Sequence, residues 1–285
     1  MTRRSMALVS PAVDALRTID EWGARTAAAG VTRAGGVLAA HGPRAAPLRW
    51  ASVTKLLTGL ATLVAVEEGT VDLDEPAGPP GSTLRHLLAH ASGLPPEGLP
   101  PDWGPPLMAP ARRRIYSNAG IEAAAALVEA GAEMPFAEYL QRAVLGPLGL
   151  VGALRSSAAW GYTGPLDDLL ALARELLAPT LVAAETLAEA TSVQFPGLAG
   201  VLPGWGRMEP NDWGLTFELR DGKHPHWTSA RNSTRTFGHF GAAGTFLWVD
   251  PVAGLACAVL TDREFGDWAK DAWPRLGDAI FDELE

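Results

Sequence analysis

The sequence predicts an α+β fold: one antiparallel β-sheet built from both termini, flanked by helices, with a mostly helical lobe inserted between the two ends. Three observations predict it. Strand patterns occur near residues 35–42 and again beyond 213, while the segment between them carries helical periodicity and proline-rich loops. Hydrophobic residues make up 47% of the 285 and charged residues 19%, enough apolar material for a sizeable core. The expected division is a sheet lobe from residues 1–75 and 205–285, an inserted lobe over 76–204, and an active site in the cleft between them.

Residues 13–22 read as a first helix, with Val13, Leu16 and Ile19 at helical spacing. Residues 35–42 read as a short buried strand punctuated by glycine, followed by a loop through Pro43 and Pro47. Over 52–68 the pattern becomes a long helix in which Leu56, Leu57, Leu60, Leu63, Val64 and Val66 leave no solvent face, so it belongs at the centre of the molecule. Gly69 supplies its stop. Prolines punctuate 76–110 around one helix at 83–91, and helices are expected at 119–130, 135–144 and 166–177, with no strand in this middle third. Beyond it, Trp213, Leu215, Phe217 and Leu219 share one face of a strand while Thr216, Glu218 and Arg220 share the other. Residues 244–249, opened by the segment 237–244, and 255–261 read as two more strands joined by the turn 250–254. A helix from 267 closes the chain, broken at Pro274.

Lys plus Arg number 23 against 32 Asp plus Glu, a net charge of -9. A phosphate backbone rewards clustered positive charge, so nucleic acid is not an expected partner, and no basic amphipathic stretch points to a membrane surface. The longest apolar stretch, 56–66, is too short to cross a bilayer. Met1-Thr2-Arg3-Arg4-Ser5 hints at export, but the apolar run after it is short and interrupted by Pro11 and Asp14, so no signal peptide is read. Cys257 is the only thiol, which excludes an intrachain disulfide and fits a reducing compartment. A soluble cytoplasmic protein is the expectation.

Ser52-Val53-Thr54-Lys55 stands at the start of the central helix. Residues three apart share a helical face, so the Lys55 amine can reach the Ser52 hydroxyl. Serine is a poor nucleophile until a base takes its proton, and burial under a helix start discourages a lysine from staying charged. The same helix end points backbone N–H groups at any oxyanion formed beside Ser52. With 11 serines and three lysines, about 0.1 such pair is expected by chance. Standing alone, the pair could be an N-cap serine and a solvated lysine. Lys55, however, precedes a run with no solvent face, in a first turn that the helix dipole makes unfavourable for a cation.

Two further groups join this pair. Tyr116-Ser117-Asn118 follows Arg112-Arg113-Arg114-Ile115; a phenol beside a lysine can shuttle a proton, and an amide can hold a substrate carbonyl and orient the lysine. Taken alone, it is a packed tyrosine and a turn asparagine. In Phe237-Gly238-His239-Phe240-Gly241-Ala242-Ala243-Gly244, the glycines allow close backbone approach and His239 places a donor on a strand edge; alone, these are a structural histidine and a bulge.

Ser52-x-x-Lys55, Tyr116-x-Asn118 and His239-x-Gly241, in this order, resemble the serine β-lactamase and D-Ala-D-Ala carboxypeptidase superfamily, and specifically its class C β-lactamase-related, esterase-like branch. The stretches 86–94, 147–150 and 246–251 are similar too, and the resemblance runs from about residue 30 to 262. It implies a β-lactamase/transpeptidase-like fold and acyl transfer in two steps. Ser52 would attack an ester or amide carbonyl, Lys55 and Tyr116 would accept its proton, and water would release the acyl group. The oxyanion would lie between the backbone N–H groups of Ser52 and Ala242, Asn118 would orient Lys55 and substrate, and His239 would hydrogen-bond toward Tyr116. His239 stands where efficient class C β-lactamases carry lysine, weakening the pull on a β-lactam carboxylate. Short segments between the motifs imply a reduced lobe and an open cleft. The expected activity is an esterase-like serine hydrolase acting on a small-molecule ester or amide without metal or organic cofactor. β-Lactamase or D-Ala-D-Ala carboxypeptidase activity, and a catalytically silent binding module, are the alternatives.

His86 and His90 lie four apart on a helix but lack the acidic residue of a zinc-protease motif, and His224-Pro225-His226 lacks a third ligand. His86 and His90 are expected to brace the loop into Ser92-Gly93, and Cys257 to pack mid-strand. Trp103, Trp205, Trp213 and Trp227 are read as core, with an aromatic cleft wall favouring an apolar acyl group as the alternative.

Overall fold

A computed structural model describes residues 13–284 apart from 101 and 103, so Trp103 and the Met1–Pro11 start lie outside the described residues. The strands are β1 (Ala27–Arg33), β2 (Gly36–His41), β3 (Leu48–Arg49), β4 (Ala153–Leu154), β5 (Tyr162–Gly164), β6 (Gly200–Leu202), β7 (Gly206–Met208), β8 (Glu218–Leu219), β9 (Phe237–Gly241), β10 (Thr245–Asp250) and β11 (Leu255–Thr261). The helices are α1 (Thr54–Glu67), α2 (Leu84–Leu88), α3 (Asn118–Ala132), α4 (Phe136–Leu140), α5 (Gly146–Leu148), α6 (Leu166–Leu177), α7 (Ala184–Ala190) and α8 (Asp267–Leu284). The main sheet runs β2-β1-β11-β10-β9-β8, antiparallel at every pairing and drawn from both ends of the chain, as the sequence predicts.

Alternation along these strands feeds two separate cores. Ala28, Leu247, Val249, Ala256, Ala258 and Leu260 face a cluster that includes α1, α3 and α6, while Ala29, Val31, Phe246, Trp248, Cys257 and Val259 face α8 and the N-terminal helix. Every residue of β11 is therefore buried, which is why it reads as a continuous apolar run. Cys257 packs there, opposite Val31 on one side and Trp248 on the other.

The structure departs from expectation where tertiary contacts outweigh local pattern. β1 went unread because Ala27-Ala28-Ala29-Gly30 carries no strand signal. Small residues are needed there, since a Cβ at Gly30 would lie 2.8 Å from Leu170 of α6. Helix α6 falls inside the expected inserted lobe of 76–204 yet packs across β1, β10 and β11, so that boundary passes through a shared core. The middle third does hold strands, the pairs β4–β5 and β6–β7, each too short to show a period. The expected strand through Trp213 and Arg220 is a bend: Trp213 makes only isolated bridges, to Gln194 and Glu218, and ladder pairing is confined to β8; Thr216 has φ +67°, and both Thr216 and Glu218 are fully buried. The expected strand at 244–249 is β10, and the 237–241 segment leading into it is a strand of its own, β9, paired with β10 in a hairpin.

The first helix is a tight 3-10 helix, Asp14–Glu21, and α4 widens into a π-helical turn at Gln141–Leu145. α8 runs unbroken through Pro274, because Ala269, Trp273, Leu276, Ile280 and Phe281 bury on the sheet side along both halves. That packing outweighs the one lost backbone hydrogen bond. No helix among the described residues is long and apolar enough to cross a membrane.

Candidate active site

Ser52 sits in a short 3-10 turn, Ala51–Val53, that leads into α1. The turn is strained and clamped. Ala51 has φ +47°, a conformation that disfavours a side chain, and Thr245 Oγ1 of β10 donates to the Trp50 carbonyl at 2.8 Å. Trp50 N–H donates to the Tyr162 carbonyl at 3.0 Å and its indole to Gly164 at 3.2 Å. Gly241 of β9 lies so close that a Cβ would meet the Trp50 carbonyl at 2.6 Å and Ala51 Cβ at 3.0 Å. Glycine at 241 is thus a condition for docking the strand against the nucleophile turn.

One turn on, Lys55 is completely buried. Its amine donates to Ser52 Oγ at 3.2 Å, Asn118 Oδ1 at 2.7 Å and the Ala159 carbonyl at 2.9 Å, all three neutral acceptors. Desolvation pulls its pKa from 10.5 to about 7, against the upward pull of Glu97 and Glu122. At neutral pH a large share of the molecules therefore carries an unprotonated amine beside the Ser52 hydroxyl.

Tyr116 and Asn118 arrive on the start of α3, whose N-cap Ser117 accepts from the Gly120 N–H at 2.9 Å and donates to the Pro95 carbonyl at 2.5 Å. Tyr116 borders the same cavity as Ser52, and the Lys55 amine lies 4.8 Å from the Tyr116 ring centre. Burial raises the phenol well above its ordinary value, against a smaller downward pull from Ser52, so Tyr116 is neutral. Asn118 bridges, with Oδ1 on Lys55 and Nδ2 donating to Glu97 at 2.8 Å.

His239 lies fourth around the site, but not as expected. Its ring centre is 5.8 Å from that of Tyr116, and its Nδ1 bonds the Phe240 carbonyl at 2.7 Å rather than reaching the phenol. Since a carbonyl only accepts, Nδ1 carries the hydrogen and Nε2 is left as a lone-pair acceptor, with no partner among the described residues. Burial and then Lys55 push its pKa down to about 3, so the ring is neutral. The ring therefore offers an acceptor rather than the expected donor, because the strand backbone takes the donor.

Ser52, Tyr116, Asn118, His239 and Ala242 all border one cavity of 370 Å³, walled by Leu202, Pro203, Gly204, Trp213, Phe240 and Phe265. Gly241 lies behind it. Trp213 is thus a cleft wall, while Trp227 is core and donates its indole N–H to Glu218 at 2.8 Å.

These positions meet the comparisons with known proteins. A family model described as Beta-lactamase matches residues 14–279, nearly the whole chain. The chain belongs to the β-lactamase family. A crystal structure described as a β-lactamase from Mycobacterium bovis is 52% identical with TM-score 0.91, covering 94% of this chain and 98% of that one. More distant solved structures share the fold. EstCE1, described as a hydrolase with promiscuous acyltransferase activity, matches at 19% identity and TM-score 0.74, covering 94% of this chain and 97% of its own. The unliganded simvastatin synthase LovD from Aspergillus terreus matches at 18% identity and TM-score 0.78, covering 94% of this chain and 96% of its own. None of the curated proteins matches the chain. As a β-lactamase-family member the protein is a serine hydrolase by kinship.

Within this β-lactamase-fold site, three contributors escaped the sequence reading. Glu97 orients the Asn118 amide from a proline-rich loop with no motif of its own. His90, at φ +54°, packs tilted against Tyr116 at 4.7 Å and edge-on against Trp213 at 4.8 Å between ring centres, and its Nδ1 accepts the Ser117 N–H at 3.2 Å. It braces the tyrosine itself, whereas His86 accepts from Thr83 N–H at 3.3 Å and stacks on Phe195. Hairpin β6–β7 supplies the cavity wall. Only chain spacing around Tyr116 could have hinted at His90.

Proposed function

We propose that the protein is an esterase-like serine hydrolase that cleaves a small-molecule ester or amide through an acyl-enzyme on Ser52. The observation that carries this reading is the fully buried Lys55 amine 3.2 Å from Ser52 Oγ, with its pKa lowered to about 7. Lys55 takes the Ser52 proton as Oγ attacks the carbonyl, and the neutral Tyr116 phenol, on the same cavity as Ser52, passes a proton to the departing group. The backbone N–H groups of Ser52 and Ala242 receive the oxyanion, and Asn118 and Glu97 hold the Lys55 amine in line. Water then attacks the acyl carbonyl by the reverse proton path. The chemistry calls for no cofactor and acts on a small molecule; a cytoplasmic location belongs to the same proposal.

Preference for esters over β-lactams rests on the walls. A lone-pair nitrogen on His239 repels a carboxylate, and the cavity is closed by Leu202, Trp213, Phe240 and Phe265 with no cation of its own. The 52% identity to a protein described as a β-lactamase favours the second reading, lactam hydrolysis by the same acyl-enzyme. A chromogenic ester and a chromogenic cephalosporin, assayed side by side, separate the two. Appreciable ester turnover with weak lactam turnover is expected; the reverse ranking establishes the lactamase reading. Mass analysis of the Ser52 peptide after a serine-directed probe, with Ser52→Ala as control, tests the acyl-enzyme itself.

A further inference from the structure

A second cavity of 420 Å³ also borders Tyr116, together with Pro96, Leu107, Met108, Arg113, Ile115 and Val201. It shares two residues with the cavity of Ser52, Tyr116 and Pro203. The alternation of β6 separates the two spaces: Leu202 is fully buried on the Ser52 side, while Val201 stands 47% exposed on the other. We propose that this second cavity is the leaving-group subsite, shaped for an extended apolar alcohol that ends in a carboxylate. The proposal rests on the reading of Ser52 as the acylated nucleophile.

Proton geometry assigns the direction. The acyl carbon must stay beside Ser52 and Ala242, where the Oγ–acyl bond forms. The ester C–O bond that breaks releases an alkoxide, which needs a proton from a neutral donor. Tyr116 is that donor and is also a wall of the second cavity, so the alcohol leaves toward it. Serine loses a proton to Lys55, the alcohol gains one through Tyr116, and the exchange balances.

The walls are apolar and firmly anchored. Arg114 is buried with its guanidinium on the carbonyls of Ala89 at 2.6 Å, Gln194 at 2.7 Å and Asn211 at 3.0 Å, and its own N–H donates to the Ala199 carbonyl at 2.9 Å. Leu107 N–H donates to the Gly93 carbonyl at 2.8 Å. Yet Leu107 is 59% exposed and Val201 47%, apolar surface held open by rigid backbone. Arg113 sits at this cavity exposed and makes no ion pair or hydrogen bond among the described residues, in contrast to its buried neighbour. An apolar channel with an unpaired guanidinium fits an alkyl chain with a terminal anion.

The test varies the alcohol at constant acyl group, using ethyl acetate, hexyl acetate and 6-acetoxyhexanoate. kcat/KM is expected to rise about tenfold from the ethyl to the hexyl ester. Arg113→Glu should raise KM for 6-acetoxyhexanoate about fivefold, a size suited to an exposed ion pair, and leave hexyl acetate unchanged. Val201→Trp and, as a second variant on an exposed side chain, Leu107→Asp should remove the chain-length advantage while ethyl acetate turnover persists. Equal kcat/KM across the three esters, or an advantage that survives both variants, overturns the proposal. Failure of ethyl acetate and of a serine-directed probe to acylate Ser52 would instead defeat the reading beneath it. In that event, binding of 6-hydroxyhexanoate to Ser52→Ala, followed by NMR, still decides the subsite: binding lost in Leu107→Asp supports it, and no binding refutes it.

Discussion

Two lysines are buried in this protein, and their surroundings differ in one respect. Lys55 is held by a hydroxyl, an amide oxygen and a backbone carbonyl, while Lys223 is held by the Glu218 carboxylate together with the Asp212 and Leu219 carbonyls. Burial lowers both pKa values, but Glu218 in direct contact pushes Lys223 back up, whereas Glu97 and Glu122 act on Lys55 only from a distance. Glu218 in turn is held down to about 2: burial works against its charge, but Lys223 and His226 outweigh burial. His226 Nε2 meets its other oxygen at 2.9 Å. A buried amine with only neutral partners is a base; one with a carboxylate partner is a structural cation. Lys223 also lies 5.8 Å from the Trp213 ring centre, so the structural cluster stands directly behind the cleft wall.

The same substitution at both lysines breaks the comparison most sharply. Lys55→Met, like Ser52→Ala, should lower kcat/KM by about 10⁴-fold or more in an ester assay, since members of a nucleophile–base unit act together. Lys223→Met should leave Ser52 labelling intact and cost about 3–5 kcal/mol in urea unfolding, because it strands a buried carboxylate. Equal loss of labelling in both would erase the distinction drawn between them.

Acidity sharpens it further. Activity should fall as pH drops through about 7, where Lys55 takes up its proton. The sign for stability follows the same group. The unfolded chain holds a proton up to 10.5 that the folded chain has released, so stability should rise with pH between about 7 and 10.5. Lys55→Met should flatten that rise, as read by unfolding at several pH values.

A third cation tests the wall. His239→Lys places an ammonium where the lone-pair nitrogen now sits, and the ratio of cephalosporin to ester turnover should rise about tenfold. The smallest effect is expected at Glu97, which raises the Lys55 pKa from an exposed position. Glu97→Gln should move the acid limb of kcat/KM to lower pH with the maximum rate little changed; an upward move would contradict the assigned sign.

Legibility of the site followed chain distance. Ser52 and Lys55 were readable because one helical turn sets their separation, and α1 was readable because its apolar residues surround it. β11 and α6 appeared within their observed bounds for the same local reasons. Glu97 and His90 were not, since each reaches its partner through a loop with no periodic signal. Glu218 carried an incomplete one: strand alternation grouped it with Thr216 and Arg220 on one face, and nothing local showed that its charge is answered by Lys223 and His226 inside the protein.

By itself the sequence determined which side chains could react and roughly where each helix and strand would lie, because spacing and apolar periodicity are properties of a few neighbouring residues. Tertiary structure alone decided the state in which those side chains meet. Strand β9 turns the His239 donor onto its own backbone, α8 continues past Pro274, and complete enclosure lowers the Lys55 pKa. Desolvation and hydrogen-bond competition depend on what surrounds a group from every side, and those neighbours come from distant parts of the chain.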